Sequence, residues 1–268
     1  MEDWREKRNF KPCVLSNGWL MLEVVESFLS IQGEGKFQGR LAIFIRLFGC
    51  NLNCFGFNVK QKSLKTNEIL TGCDTIRAVF KSHFSAKKYK NADEIMNLIY
   101  QKCENLGTKP MIVITGGEPL IHHKNEILLE VLERLIKQNF IVQFETNATI
   151  KVDFAKFGIY KKCIFAMSVK LENSGESRAK RIKTEAIKAI SKNAKCFYKF
   201  VLRGDENELN EIDEILKIAQ NEVWLMPMGA DINELEKNAL KVAQIAIAKG
   251  FCYSDRLHIR LWDKKEGV

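Results

Sequence analysis

The sequence predicts an α/β fold, read as a partial, open barrel of parallel strands. Three observations support it. Apolar strand-like runs alternate with helical patterns through most of the chain, with little linker between them. Several of these runs, such as Met111–Thr115, lack the polar alternation of a half-exposed strand and suit burial on both faces. Glycines and polar residues gather where the strands are expected to end: Gly49-Cys50, Gly116-Gly117-Glu118, Glu145-Thr146-Asn147 and Ser168-Val169-Lys170. Ligands collect at the carboxyl ends of strands in such folds. Any one strand end is polar for ordinary reasons, but four together point to one site. A doubly wound open sheet is the alternative to the barrel.

The elements follow in order. Residues 1–18 read as an irregular extension. Trp19–Leu29 has a strand pattern and leads into Ile31-Gln32-Gly33-Glu34-Gly35. Leu41–Phe48 is a nearly continuous apolar run and reads as a buried strand. The cysteine region occupies Gly49 to Thr75. A helix is expected over 92–106, with Ile95, Leu98, Ile99 and Cys103 on one face. Next come a strand over 111–115, a helix over 125–138, and strands over 140–146 and 164–169. Ser177–Asn193 reads as one helix, its lysines and arginines facing water opposite Ile182, Ala186, Ile187 and Ile190. A strand over 196–202, a helix over 208–220, a strand over 222–226 and a helix over 232–249 follow. A final strand is expected over 257–262. The chain reads as a single domain, 1–268.

Composition narrows the function classes. The chain has 268 residues, 46% of them hydrophobic, so a sizeable core can form. No apolar stretch approaches the length of a membrane span. The N-terminus, Met-Glu-Asp-Trp-Arg-Glu-Lys-Arg, is charged and precedes no apolar segment, so a cytoplasmic protein is expected. There, the 8 cysteines are no disulfide framework. Cys13, Cys103, Cys163, Cys196 and Cys252 are scattered and read as small buried hydrophobes. The net charge of +9 suits nucleic acid, anionic substrates or a lysine-rich proteome alike. The lysines interleave with helical apolar positions and no aromatic stacking stripe appears, so no direct nucleic-acid binding is expected.

The other three cysteines are clustered. Cys50 and Cys54 come directly after a buried strand, and Cys73 follows in Gly72-Cys73-Asp74-Thr75. Thiolates are soft ligands for iron–sulfur clusters or zinc. A closed zinc site wants four ligands, whereas no histidine lies between Gly49 and Thr75. Three cysteines suit a four-iron cluster with one iron left open. Arg46, within the apolar run, is expected to be buried and needs an anionic partner. That partner is either a substrate carboxylate, gripped by the guanidinium fork, or Glu34 or Glu145 in a structural ion pair. His83, His122 and His123 read as surface residues. His258 falls in the expected last strand and reads there as a structural residue.

Ser30-Ile31-Gln32-Gly33-Glu34-Gly35, Phe44 to Leu52, Cys73-Asp74-Thr75, Thr115-Gly116-Gly117-Glu118-Pro119, Glu145-Thr146-Asn147 and Asp255-Arg256-Leu257-His258 carry a resemblance. The chain resembles the radical S-adenosylmethionine (SAM) superfamily and, within it, the 7-carboxy-7-deazaguanine synthases, over about residues 24–268. The Gly-Gly-Glu-Pro element is shared widely in that superfamily; the Gln-Gly-Glu-Gly element and the Arg-Leu-His ending are narrower. One departure stands out. The usual C-x3-C-x2-C spacing would place the third cysteine at Phe57, which cannot ligate iron. Relatives with an enlarged cluster loop keep a Cys-Asp-Thr element, so the resemblance assigns the third ligand to Cys73. Residues 55–72 then form an insertion carrying Lys60, Lys62 and Lys65, expected to be exposed.

The resemblance implies a fold, cofactors and roles. It implies a radical SAM barrel with a [4Fe-4S] cluster on Cys50, Cys54 and Cys73, SAM on the open iron, and Mg2+ at Thr75. SAM would contact Gly72, Cys73, Asp74, Gly116, Gly117, Glu118, Ser168, Val169 and Lys170. The substrate, 6-carboxy-5,6,7,8-tetrahydropterin, would contact Ile31, Gln32, Gly33, Glu34, Arg46, Thr115 and His258. It would lose ammonia and become 7-carboxy-7-deazaguanine, a precursor of queuosine and other deazapurines. A homodimer reduced by flavodoxin or ferredoxin is implied as well. Two rivals share the cysteines: a radical SAM activase that makes a glycyl radical on a partner protein, and a non-catalytic metal-stapled module that binds RNA.

Overall fold

The computed structural model describes residues 21–265 and 267–268. The expected extension over 1–18, Cys13 and Trp19 lie outside them. Strand β1 spans Leu22–Ile31 and β2 spans Leu41–Leu47. Inside the cysteine loop, β3 (Val59–Lys62) and β4 (Ile69–Gly72) form a separate antiparallel hairpin. Helix α1 (Ile76–Val79) and strand β5 (Lys87–Tyr89) lead into α2 (Ala92–Cys103). Then come β6 (Met111–Gly116), α3 (Glu126–Lys137), β7 (Val142–Thr146) and β8 (Ile164–Met167). Helices α4 (Arg178–Arg181) and α5 (Thr184–Asn193) precede β9 (Lys195–Leu202) and α6 (Glu206–Ile218). The described chain closes with β10 (Val223–Pro227), α7 (Ile232–Lys249), β11 (Cys252–Tyr253) and α8 (Leu257–Trp262).

The fold is mixed α/β around a large, mostly parallel sheet. Among the described residues nine strands run in the order β11-β10-β9-β8-β7-β6-β2-β1-β5. The sheet is not closed on itself. From β2 to β11 every pairing is parallel. At the other edge β1 runs antiparallel to both β2 and β5, which departs from the all-parallel expectation. A short connection between β1 and β2 permits no crossover helix, so antiparallel pairing is the available solution.

Helices pack on one face of the sheet and build one contiguous core. Ile43, Ile45, Ile114, Phe144, Phe165 and Phe200 from the strands meet Ile99, Leu132, Ile187, Ile215 and Val242 from the helices. The other face, called the open face below, carries a small apolar cluster of Ala42, Met111 and Val113 and then a set of polar side chains. The strands are therefore buried on both faces near their amino ends and turn polar towards their carboxyl ends. Asn125 and Asp231 cap α3 and α7 by accepting from the backbone N–H groups of Leu128 and Glu234.

Two expected elements differ. Residues 177–193 hold two helices, broken where Ile182 turns extended and buries its side chain. Arg181 fixes the break by donating to the carbonyls of Glu176 and Lys170 and pairing with Glu211. Residues 257–262 form a helix, not a strand. Their alternation of apolar and polar residues spans less than two helical turns and fits either period. The Leu257 N–H donates to the Gly33 carbonyl, and Arg260 reaches back to Asp255 at 2.8 Å, which favours the turn.

Candidate functional site

The cysteine loop starts where β2 ends. Gly49 has φ +116°, in the region that favours glycine, and its carbonyl accepts from Glu118 N–H at 2.9 Å. The loop is thereby tied to the turn after β6. That contact is close: a Cβ on Gly117 would lie 2.5 Å from both the Cys50 Cβ and the Gly49 oxygen. Gly116 is equally constrained, with φ +151° and the Leu47 oxygen 2.2 Å from where a Cβ would stand. The glycine pair therefore lets β6 approach the first cysteine.

Cys54 is buried and left-handed (φ +48°), and the Glu176 carboxylate accepts from Asn53 N–H at 2.7 Å and Cys54 N–H at 3.4 Å. Cys73 follows the hairpin, with its Sγ 3.2 Å from Thr75 Oγ1. The Cys50 sulfur accepts from the Leu52 N–H at 3.4 Å. The Cys50 and Cys54 thiols are pushed up to about 12, chiefly by burial, with Cys73 contributing to both. Burial also raises Cys73. Lys170 opposes this at Cys54 and Cys73. Its ammonium donates to Ser168 Oγ at 3.0 Å and sits 5.7 Å from the centre of the Phe57 ring.

These three thiols fit an iron–sulfur cluster by their donor set. Among the described residues no three His, Cys, Asp or Glu side chains converge on a point that would hold a single ion. A four-iron cluster does not ask them to, because each thiolate binds a different iron. Phe57 stands beneath Lys170 and takes no place among the thiols.

The other predicted residues fall in two groups on the open face. In the first, Gln32 Nε2 donates to Glu145 Oε1 at 3.0 Å, and Gln143 Nε2 donates to the same oxygen at 2.6 Å. Lys199, 4% exposed, pairs with Glu145 and, at 2.7 Å, with Glu34. Arg256 donates to Glu34 at 2.8 Å, to Asp74 at 2.6 Å and to the Gly229 carbonyl at 2.7 Å. His258 packs against Gly33, where its Nδ1 stands 2.2 Å from the site of a Cβ, and lies 3.9 Å from Glu34. A charged chain thus runs from Glu145 through Lys199, Glu34 and Arg256 to Asp74, beside Cys73.

Electrostatics within that chain are self-consistent. Burial pushes the Glu34 carboxyl up, but Lys199, Arg256 and His258 outweigh it and hold the group well below the usual range. Burial works against the charged form of Lys199, and Glu145 and Glu34 more than reverse that, raising it. Arg256 is raised by the same balance, through Glu34 and Asp74. His258 is lowered, chiefly by burial.

In the second group Arg46 and Thr115 are paired in register on β2 and β6. Arg46 pairs with neither Glu34 nor Glu145. Its Nε donates to Glu26 on β1 at 2.6 Å, and among the described residues its two terminal nitrogens have no protein partner. Phe28 and Phe44 stack at 4.9 Å on the same strand pair. Glu118 is fully buried; its carboxylate accepts from Leu120 N–H, Thr146 Oγ1 and Asn147 N–H. Burial raises that carboxyl to about 7 against those donors. The Glu118 side chain thus joins the β6 and β7 turns, and Val169 points into the core.

Sequence reading assigned Lys199 no role, and Arg256 none beyond its place in the Arg-Leu-His ending. A lysine at the centre of the apolar run Cys196–Leu202 was the available signal, since buried lysines need partners. Three histidines differ from the surface reading: His122 is buried and bonds the Phe48 carbonyl at 2.9 Å, while His83 and His123 are partly buried. Cys103 and Cys163 are buried as expected, whereas Cys196 and Cys252 are only partly so.

The 4Fe-4S single cluster domain family (Fer4_12) matches residues 31–191. A 7-carboxy-7-deazaguanine synthase from Rickettsia prowazekii is 30% identical over 256 residues, covering 93% of this chain and 92% of that protein. One from Halobacterium salinarum is 29% identical over 261 residues, covering 90% of this chain and 91% of that protein. The crystal structure of QueE from Escherichia coli superposes with a TM-score of 0.63 at 22% identity, over 89% of this chain and 95% of the other. The chain therefore belongs to the 4Fe-4S single cluster domain family and, within it, to the 7-carboxy-7-deazaguanine synthases.

Proposed function

We propose that the chain is a radical SAM lyase that converts 6-carboxy-5,6,7,8-tetrahydropterin to 7-carboxy-7-deazaguanine with loss of ammonia. The observation that carries the reading is the juxtaposition of three thiols, one buried and two partly buried, with the Gly116-Gly117 turn and with the polar chain on the open face. Cys50, Cys54 and Cys73 would hold a [4Fe-4S] cluster. Bound there with SAM, the cluster supplies a reducing electron and a radical able to abstract hydrogen from the substrate. We read the sheet as a partial barrel wrapped round this chemistry in a single domain.

The residues' own work is binding and exclusion of water. The backbone of Gly116 and Gly117, with Gly72, Asp74, Ser168 and Lys170, would line SAM. Thr75 Oγ1 offers the hard oxygen donor that Mg2+ prefers. The two terminal nitrogens of Arg46 suit a substrate carboxylate as a bidentate fork. The fused pterin ring presents a row of donors and acceptors, matched by Ile31 to Glu34, Thr115 and His258. Lys199 holds the Glu34 and Glu145 carboxylates in place, so their geometry is set before substrate arrives. Reduction by flavodoxin or ferredoxin, a homodimer and a cytoplasmic location complete the reading; no helix among the described residues is long and apolar enough to cross a membrane.

Anaerobic reconstitution followed by iron, sulfide and zinc analysis tests the cofactor half. About four irons and four sulfides per chain, with SAM cleaved to 5′-deoxyadenosine on reduction, are expected. One zinc without sulfide would instead favour the non-catalytic RNA-binding module.

A further inference from the structure

The hairpin β3–β4 is not used by the site just described, yet it is enclosed by two of its ligands. It leaves the loop after Cys54 and returns to it at Gly72, next to Cys73. Its outward surface is unusual for a loop. The large hydrophobic side chains exposed among the described residues are Met21, Phe55, Leu64, Ile69, Leu240, Ile247 and Leu261. Three of these seven, Phe55, Leu64 and Ile69, fall within residues 55–72. Leu64 is 72% and Ile69 64% exposed, so they are not spare core residues.

Register puts cations beside them. Lys62 pairs with Ile69 and Lys60 with Thr71, and residues paired across a hairpin share a face. Lys60 and Lys62 are exposed and make no ion pair among the described residues. Lys65, at the turn, reaches the Lys81 carbonyl. The single acidic residue of the hairpin, Glu68, is engaged with Thr66 and His83. The tip is held firmly: Ser63, 1% exposed, accepts from Lys65 and Thr66 N–H and lies 3.4 Å from the His83 carbonyl. The result is a preorganised face of aliphatic and basic side chains.

We propose that this hairpin face is the docking surface for an acidic, low-potential one-electron carrier protein. The inference rests on the radical SAM reading, because only a redox cluster needs electrons delivered from outside. In the step implied, the carrier's reduced flavin or iron–sulfur centre is oxidised by one electron, and the cluster on Cys50, Cys54 and Cys73 is reduced by one. Redox encounters of this kind use small surfaces, below roughly 1,200 Å². Charge complementarity sets their speed and orientation. Lys60 and Lys62 beside Ile69, with Lys65 and Leu64 at the turn, give such a surface the right sign. Nucleic acid would also answer the lysines, but it calls for aromatic stacking platforms rather than Leu and Ile.

The test uses the cluster-loaded enzyme and two probes, a flavodoxin and a plant-type ferredoxin, each strongly acidic. Variants are Lys60→Glu with Lys62→Glu, and separately Ile69→Ser. Binding to each probe is measured at low and high salt, and SAM cleavage is measured with the reduced probe and with dithionite. The proposal expects the charge-reversed pair to bind at least one probe about tenfold more weakly at low salt. The wild-type advantage should fade at high salt. Dithionite-driven cleavage should be unchanged in both variants. Unaltered binding to both probes overturns the proposal, as does tRNA binding that the lysine variant abolishes while carrier binding persists. Loss of dithionite-driven cleavage in wild type would instead fault the radical SAM reading itself.

Discussion

Lys199 is the residue on which the open face turns. Its ammonium is buried between two carboxylates, and removing it leaves Glu145 without a cationic partner while Glu34 keeps Arg256. Breaking a buried pair in this way costs about 3–5 kcal/mol. Lys199→Met keeps most of the volume and is expected to lower the unfolding free energy by about that amount, measured by denaturant titration. The pH dependence has a definite sign. Glu34 is depressed below its ordinary 4.5 in the folded state, so its stabilisation is present above that value and lost as pH falls below it. Lys199 is raised above its ordinary 10.5, so its share is present below that value and lost as pH rises through the folded one. Lys199→Met should therefore flatten the acid limb of stability, and an acid limb as steep as that of the wild type would contradict the assignment. The cysteines give a second residue-scale expectation. Cys73→Ala should abolish cluster assembly, read by iron content and visible absorbance, while Cys103→Ala, deep in the helix-side core, should assemble it normally. The cluster of Cys50 and Cys54 stood out in the sequence by residue type and spacing, and Cys73 joined it through the resemblance. The partners of Lys199 and Arg256 did not, because they lie far apart in the chain and only the sheet brings them together.

The turn after β6 limits the site at the scale of elements. Gly116 and Gly117 bring β6 against the start of the cysteine loop, and no side chain fits between them. Gly117→Ala should leave the β6 strand intact and displace Cys50. The expected outcome is a folded protein, judged by its circular dichroism, with most of its bound iron lost. Retention of a full complement of iron would show the loop to be more compliant than these contacts allow. Elements with many residues per period were readable in advance: α7 matches its expected bounds at Ile232–Lys249 because five turns of apolar spacing fit no other structure. Short ones were not. Six residues decide α8, and its helical form depends on Gly33 and Asp255, which no local pattern announces. The β3–β4 hairpin was likewise expected only as an exposed insertion, because its four-residue strands carry a weak alternation.

The whole molecule joins two halves that differ in legibility. The helix-side core follows from apolar periodicity, and strands β1, β2 and β6 to β10 were expected, whereas β5 and β11 were not. The edge formed by β1 and β5 runs antiparallel, a matter of connection length rather than composition, and the sheet stays open. Its polar carboxyl ends, the loop of thiols and the Lys199–Glu34–Arg256 chain meet only in three dimensions. The account makes that meeting place the seat of a specific reaction. Arg46→Gln should then raise KM for the carboxypterin by at least about tenfold while leaving the cluster intact, since a charge-assisted fork is worth roughly 1.5–3 kcal/mol. The most direct test is anaerobic turnover of the reconstituted, reduced enzyme with SAM, Mg2+ and 6-carboxy-5,6,7,8-tetrahydropterin, with products separated by chromatography and identified by mass. Formation of 7-carboxy-7-deazaguanine together with ammonia is the predicted result. Cleavage of SAM to 5′-deoxyadenosine with the pterin recovered unchanged would contradict the account.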